Sequence, residues 1–145
     1  MTYPDPEWVT TIFVTHLASN SVGLDVGLAT APETPSPSYP YLVVDPLGVR
    51  DVDGPLNSIN ELQVLDYQVM SVGLTMIQAM GGISAANGQL LGASQPDFSA
   101  ASYTLAGDIQ IVPAGGGAES EQQDKPSLYA FTQTYRLMLV PLPGV

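Results

Sequence analysis

The sequence predicts an α+β fold: a single antiparallel (mixed) sheet of about four to five strands packed by two helices. Two helix openings, Asp5-Pro6-Glu7 and Thr75-Met76-Ile77-Gln78, are each followed by apolar residues at helical spacing. Two long alternating segments, Leu62 to Gly73 and Leu128 to Val140, supply the centre of a sheet. The length, 145 residues, makes one domain over 1–145 the expectation and suffices for a core without metal or disulfide help.

At the first helix, Asp5 can cap, Pro6 suits the first turn, and Glu7 favours the positive end of the dipole. The helix is expected to run to about Ala18, with Trp8 and Ile12 on one face and Val9, Phe13 and Leu17 beside them. Val22 to Ala29 alternates loosely and reads as a short or edge strand. Pro32, Pro35, Pro37 and Pro40 make 31–40 an extended, polyproline-like connector. Tyr41 to Val44 begins a second strand, which Asp45-Pro46-Leu47-Gly48 is expected to end, and Asp51-Val52-Asp53-Gly54-Pro55 reads as a turn.

Leu62 to Gly73 carries apolar residues on both faces and reads as a central strand, with Leu65, Tyr67 and Val69 on one side. Thr75 and Gln78 have the spacing of a capping box. Met76, Ala79, Met80, Ile83, Ala86 and Leu90 form the expected inner face of the second helix. Gly81, Gly82 and Gly88 cost that helix roughly 0.5–1 kcal/mol each against alanine, so it relies on packing, or its backbone approaches a neighbour closely. Ile109 to Val112 reads as a strand, and 113–127 as a flexible loop containing Gly115-Gly116-Gly117. The last strand, 128–140, places Tyr129, Phe131, Tyr135, Leu137 and Leu139 on one face, and it is expected to pair with 109–112 as a hairpin.

Composition narrows function. Three Lys and Arg against fourteen Asp and Glu leave a net charge of −11, so a basic nucleic-acid binder is excluded. With no cysteine, thiol catalysis, zinc-finger spacing and iron–sulfur ligation are excluded as well. Charged residues are only 12% of the chain, half the usual share of about 25%, while 45% are hydrophobic. Such a charge-poor surface fits a subunit inside an assembly better than a free monomer. The first residues lack a basic n-region, and the apolar stretch after them is broken by Thr10, Thr11, Thr15 and His16, so neither a signal peptide nor a membrane span is expected.

No constellation of catalytic residues stands out. His16 is the one imidazole and reads as a helix-face or core residue rather than a base. Asp51-Val52-Asp53-Gly54 has part of a calcium-loop spacing, but the closing acid falls at Asn60, so a solvated turn is the better reading. Asp66 lies inside a strand without an evident partner. Gly115-Gly116-Gly117 is not followed by the Lys-Ser/Thr of a phosphate cradle. The chain is therefore expected not to be an enzyme and to need no cofactor or metal.

The segment Pro40 to Val44, the strand Leu65 to Gly73 running directly into a helix, and the long final strand resemble the tail terminator (tail completion) proteins of long-tailed bacteriophages. The resemblance covers most of the chain in order and pattern, through short motifs. The second helix departs from it in being Gly-rich, and 113–126 is long. The resemblance implies a virion protein, assembled in the host cytoplasm: a homo-oligomeric ring, usually a hexamer, at the head-proximal end of the tail tube. That ring ends tube polymerisation and presents a docking surface to head–tail connector proteins, and DNA passes its lumen without specific binding. The tail tube protein is the other implied partner.

Two alternatives remain open: a head–tail connector or tail tube subunit, and, in another class, a small ligand-binding domain with a pocket at Tyr129, Phe131 and Tyr135. The expected contact residues are Arg50, Asp51 and Asp53 in the turn, Glu119, Glu121, Asp124 and Lys125 in the loop, and Arg136. With so few cations, Arg50 and Arg136 are the natural partners for a neighbour's carboxylates.

Overall fold

A computed structural model describes residues 6–20, 24–29, 39–51, 63–91, 95–112, 118–120 and 128–142. Helix α1 (Pro6–Asn20) is followed by strands β1 (Asp25–Leu28), β2 (Tyr41–Asp51) and β3 (Gln63–Gly73), then by helix α2 (Met76–Leu90). A 3-10 turn (Ser99–Ala101) leads into β4 (Tyr103–Leu105), β5 (Gln110–Val112), β6 (Ala118–Ser120) and β7 (Tyr129–Pro141). The strands form one sheet in the order β1-β2-β3-β7-β4, with β5 and β6 also paired to β7. β1 is parallel to β2 and every other pairing is antiparallel, so the fold is α+β with a mixed sheet.

β3 and β7 are the longest-paired neighbours, in unbroken register from Gln63↔Leu139 to Gly73↔Tyr129. Both helices pack on the face that carries Leu65, Tyr67 and Val69 of β3, Tyr135, Leu137 and Leu139 of β7, and Leu42 and Val44 of β2. These residues join Val9, Phe13 and Leu17 of α1 and Ile83, Ala86 and Leu90 of α2 in one buried cluster. The α1 contribution recurs every four residues, so one narrow stripe faces the sheet. Trp8, expected beside that stripe, is instead 53% exposed. Phe13 stacks on Tyr67 with ring centroids 4.3 Å apart, and the Tyr67 hydroxyl is 2.9 Å from Thr10 Oγ1.

Three expectations are corrected. β2 does not stop at Asp45-Pro46-Leu47-Gly48 but runs on to Asp51, because a register shift between Pro46 and Val49 absorbs the proline as a bulge. Asp51 is thus strand, not turn. Ala118–Ser120, expected to be loop, pairs with Phe131 to Tyr129 as β6. The inner face of α2 holds Gly82 rather than Met80, which is 49% exposed.

Close packing explains Gly82, the second of the three glycines of α2. A Cβ on Gly82 would lie 2.0 Å from Ser71 Oγ, 3.0 Å from Ser71 Cβ and 3.3 Å from Pro40 Cβ. Only a glycine lets the α2 backbone settle this near β3. The turn between the two elements is set by Thr75, whose Oγ1 accepts from Gln78 N at 3.1 Å. The Gln78 side chain reaches back as the capping box predicts, but accepts from Leu74 N at 2.7 Å and also donates to the Tyr39 carbonyl at 3.1 Å. The expected hairpin is present, with β5 antiparallel to β7 through Gln110↔Arg136. Most of the connector, 31–38, lies outside the described residues.

Candidate functional site

Helix α2 has two unlike sides. Its inner side, Ala79, Gly82, Ile83, Ala86 and Leu90, is fully engaged with the sheet. On the outer side Ile77 is 82% exposed and Met80 49%, with Gly81, Ser84 and Gly88 exposed along the same helix. The 15 residues of α2 include no charged side chain. A solvent-facing helix ordinarily places charged and polar residues outside; this one places apolar and small residues there. The spacing assigned Met80 to the core, and with no charge anywhere between Met76 and Leu90 the sequence carries no charge signal that would separate the two sides.

On the opposite face of the sheet, Asp66 and Arg136 stand directly across from one another in β3 and β7. The guanidinium forks over the carboxylate, with Nε donating to Oδ1 at 2.9 Å and Nη2 to Oδ2 at 3.1 Å. That hydrogen bonding, reinforced by the carboxylate charge, raises the Arg136 pKa further and keeps it a cation. The Arg136 fork is thus already engaged within the chain, which qualifies its expected role as a free partner for a neighbour. The acid that looked partnerless in sequence has its partner 70 residues away.

Arg136→Ala is expected to cost at most about 1 kcal/mol, because the pair is partly solvated. The Asp66→Ala, Arg136→Ala double variant is expected to lose less than the two single losses combined in urea denaturation.

The other expected contact residues are not brought together by anything described. Arg50 and Asp51 end β2 in register with Val64 and Gln63, and Glu119 lies in β6 opposite Ala130. Asp53, Glu121, Asp124 and Lys125 lie outside the described residues.

The aromatic face considered as a pocket is occupied by the protein itself. Tyr135 is fully buried, its hydroxyl donates to Asn87 Oδ1 of α2, and Gln133 Nε2 donates to the same oxygen at 2.6 Å. Phe131 packs against the core cluster. His16 ties α1 to the end of α2 through Nε2 and the Gln89 carbonyl, 3.0 Å apart. An open depression of about 300 Å³ lies on α1 beside Glu7, Trp8 and Thr11. Among the described residues no three His, Asp or Glu converge as metal ligands, and no helix is long and apolar enough to cross a membrane.

Among the described residues the arrangement presents two distinct surfaces: a paired sheet face and an uncharged helix face. No family model matches the sequence, and no curated protein matches it. Among solved structures the fold is similar to a chain in the virion of a native gene transfer agent (GTA) particle. The TM-score is 0.55 and the identity 14%, over 88% of this chain and 84% of that one. At that identity the likeness is one of fold.

Proposed function

We propose that this chain is a structural subunit of a phage-like virion, acting as a tail terminator. Copies form a ring, expected to be a hexamer, at the head-proximal end of the tail tube, where it ends tube polymerisation and offers the surface for head–tail connector proteins. The observation that carries this reading is the fold likeness to a chain of a gene transfer agent virion over nearly the whole of both chains. The low charge content and the uncharged outer side of α2 support it, since both suit a protein that is buried in an assembly. Heterologous contacts between copies close into a ring when the rotation permits. The net charge of −11 suits a lumen that DNA traverses without being held. On this reading the protein is not an enzyme.

The test is the mass of the purified protein by light scattering, alone and with tail tube protein, together with tube lengths in electron micrographs. Rings, alone or on tube ends, with tubes that stop growing once capped, are the expected result. A monomer in both conditions overturns the reading, and rings that stack into continuous tubes transfer it to a tail tube subunit.

A further inference from the structure

We infer that the outer side of α2, centred on Ile77, Met80, Gly81, Ser84 and Gly88, is where a second copy of this chain packs. The inference rests on the ring proposed above and names the surface that closes it.

The glycines are the first argument. Gly82 is required by the fold, since its Cβ would meet Ser71 at 2.0 Å, but a Cβ on Gly81 or Gly88 would meet nothing within 4 Å. Both weaken the helix relative to alanine, and nothing in the described chain uses the space they leave. A neighbouring backbone or side chain brought against the helix does use it. Ile77 and Met80 flank that space as exposed apolar groups.

Charge identifies the neighbour. Every other element longer than three residues carries at least one charged side chain: Glu7 on α1, Asp25 on β1, Asp45, Arg50 and Asp51 on β2, Asp66 on β3, Arg136 on β7. Two copies of a −11 chain repel, and contact through most of these elements sets acid near acid. Among the described elements longer than three residues, α2 is the one through which identical copies meet without that penalty. A foreign partner of opposite charge would be drawn to the acidic surfaces instead.

Salt separates this contact from one built on Arg50 and a neighbour's carboxylates. Self-association through α2 is expected to hold or strengthen as salt is raised, because salt screens the net repulsion, whereas an ion-paired contact weakens.

The experiment compares wild type with Ile77→Asp, Ser84→Asp and a control, Ala106→Asp, which adds the same charge at another exposed position. Sedimentation and light scattering are run across protein and salt concentration, and circular dichroism verifies that each variant is folded. Self-association at least 10-fold weaker in Ile77→Asp and Ser84→Asp, with Ala106→Asp unchanged, is the expected result. A wild type that assembles, with all variants alike or with association lost as salt rises, overturns this surface and leaves the ring standing. A wild type that stays monomeric with and without tube protein overturns both.

Gly81→Ala and Gly88→Ala supply a readout independent of assembly. Each is expected to raise the monomer Tm by about 2–4 °C, and a lower Tm overturns the argument from the glycines.

Discussion

Raising the pH from 10 to 12 is expected to remove about 4 kcal/mol of stability, a large share of what holds an ordinary domain folded. Tyr67 and Tyr135 are responsible. They sit directly opposite one another on the helix-covered face of β3 and β7, fully enclosed. Burial raises the pKa of each from 10.0 to about 12, against smaller lowering by hydrogen bonds from Thr10 to Tyr67 and from Gln133 to Tyr135. Between those values the unfolded chain has released both phenolic protons and the folded chain retains them. Stability from these groups is therefore complete below pH 10 and is lost as pH climbs toward the folded value, at about 1.4 kcal/mol per pH unit for each tyrosine. A phenolate formed in this core would be an ion among Phe13, Leu65 and Leu137. Chemical denaturation at stepped pH measures the loss. Tyr67→Phe or Tyr135→Phe is expected to halve the slope above pH 10 even though each lowers stability at neutral pH, and an unchanged slope would show that the loss arises elsewhere.

Gly82→Ala is expected to destabilise the fold by about 2–3 kcal/mol, at the upper end of the cost of overpacking a core. The added methyl cannot be accommodated by a small rotation alone. Turning Ser71 Oγ away removes the 2.0 Å clash but leaves Ser71 Cβ at 3.0 Å and Pro40 Cβ at 3.3 Å. Ser71 is itself fully buried, and its hydroxyl has no hydrogen-bond partner among the described residues. Ser71→Ala alone is accordingly expected to be neutral or stabilising by about 1 kcal/mol, since it removes an unsatisfied polar group. In that background Gly82→Ala should cost less, and urea denaturation of the four proteins of the cycle measures the coupling. Additive losses would mean that α2 lifts off the sheet instead of meeting Ser71.

Much of the fold was legible along the chain. Both helices, the capping threonine, the short edge strand, the two faces of β7 and the β5–β7 hairpin follow from caps, alternation and helical spacing, all of which act over a few residues. Pro46 misled, because a proline that would end most strands is tolerated at a bulge, and the partner strand decides whether a bulge is available. The short strands β4 and β6, unlike the β-branched run of β5, left no pattern to read; they pair along the same long edge of β7.

The candidate contact surface was less legible. Arg136 read as a cation seeking a neighbour because the pairing of β3 with β7, which sets it over Asp66, spans 70 residues. Arg50 and Asp51 read as a turn for the same reason that β2 read as short. Met80 read as inner because periodicity places a helix's stripe only to within a residue or so; the close backbone approach that the glycines allowed is made at Gly82, against Ser71, and that contact decided the rotation of α2.

What the sequence by itself determined is the class of fold, the strand-to-helix turn at Thr75, and the acidic, charge-poor, cysteine-free character of the chain. What only the tertiary structure decided is which glycine of α2 is packed and which are open, and which charges are already paired. The physical reason is range. Propensity, capping and alternation are local, whereas a glycine's purpose and a charge's availability depend on atoms that the fold alone brings within a few ångströms.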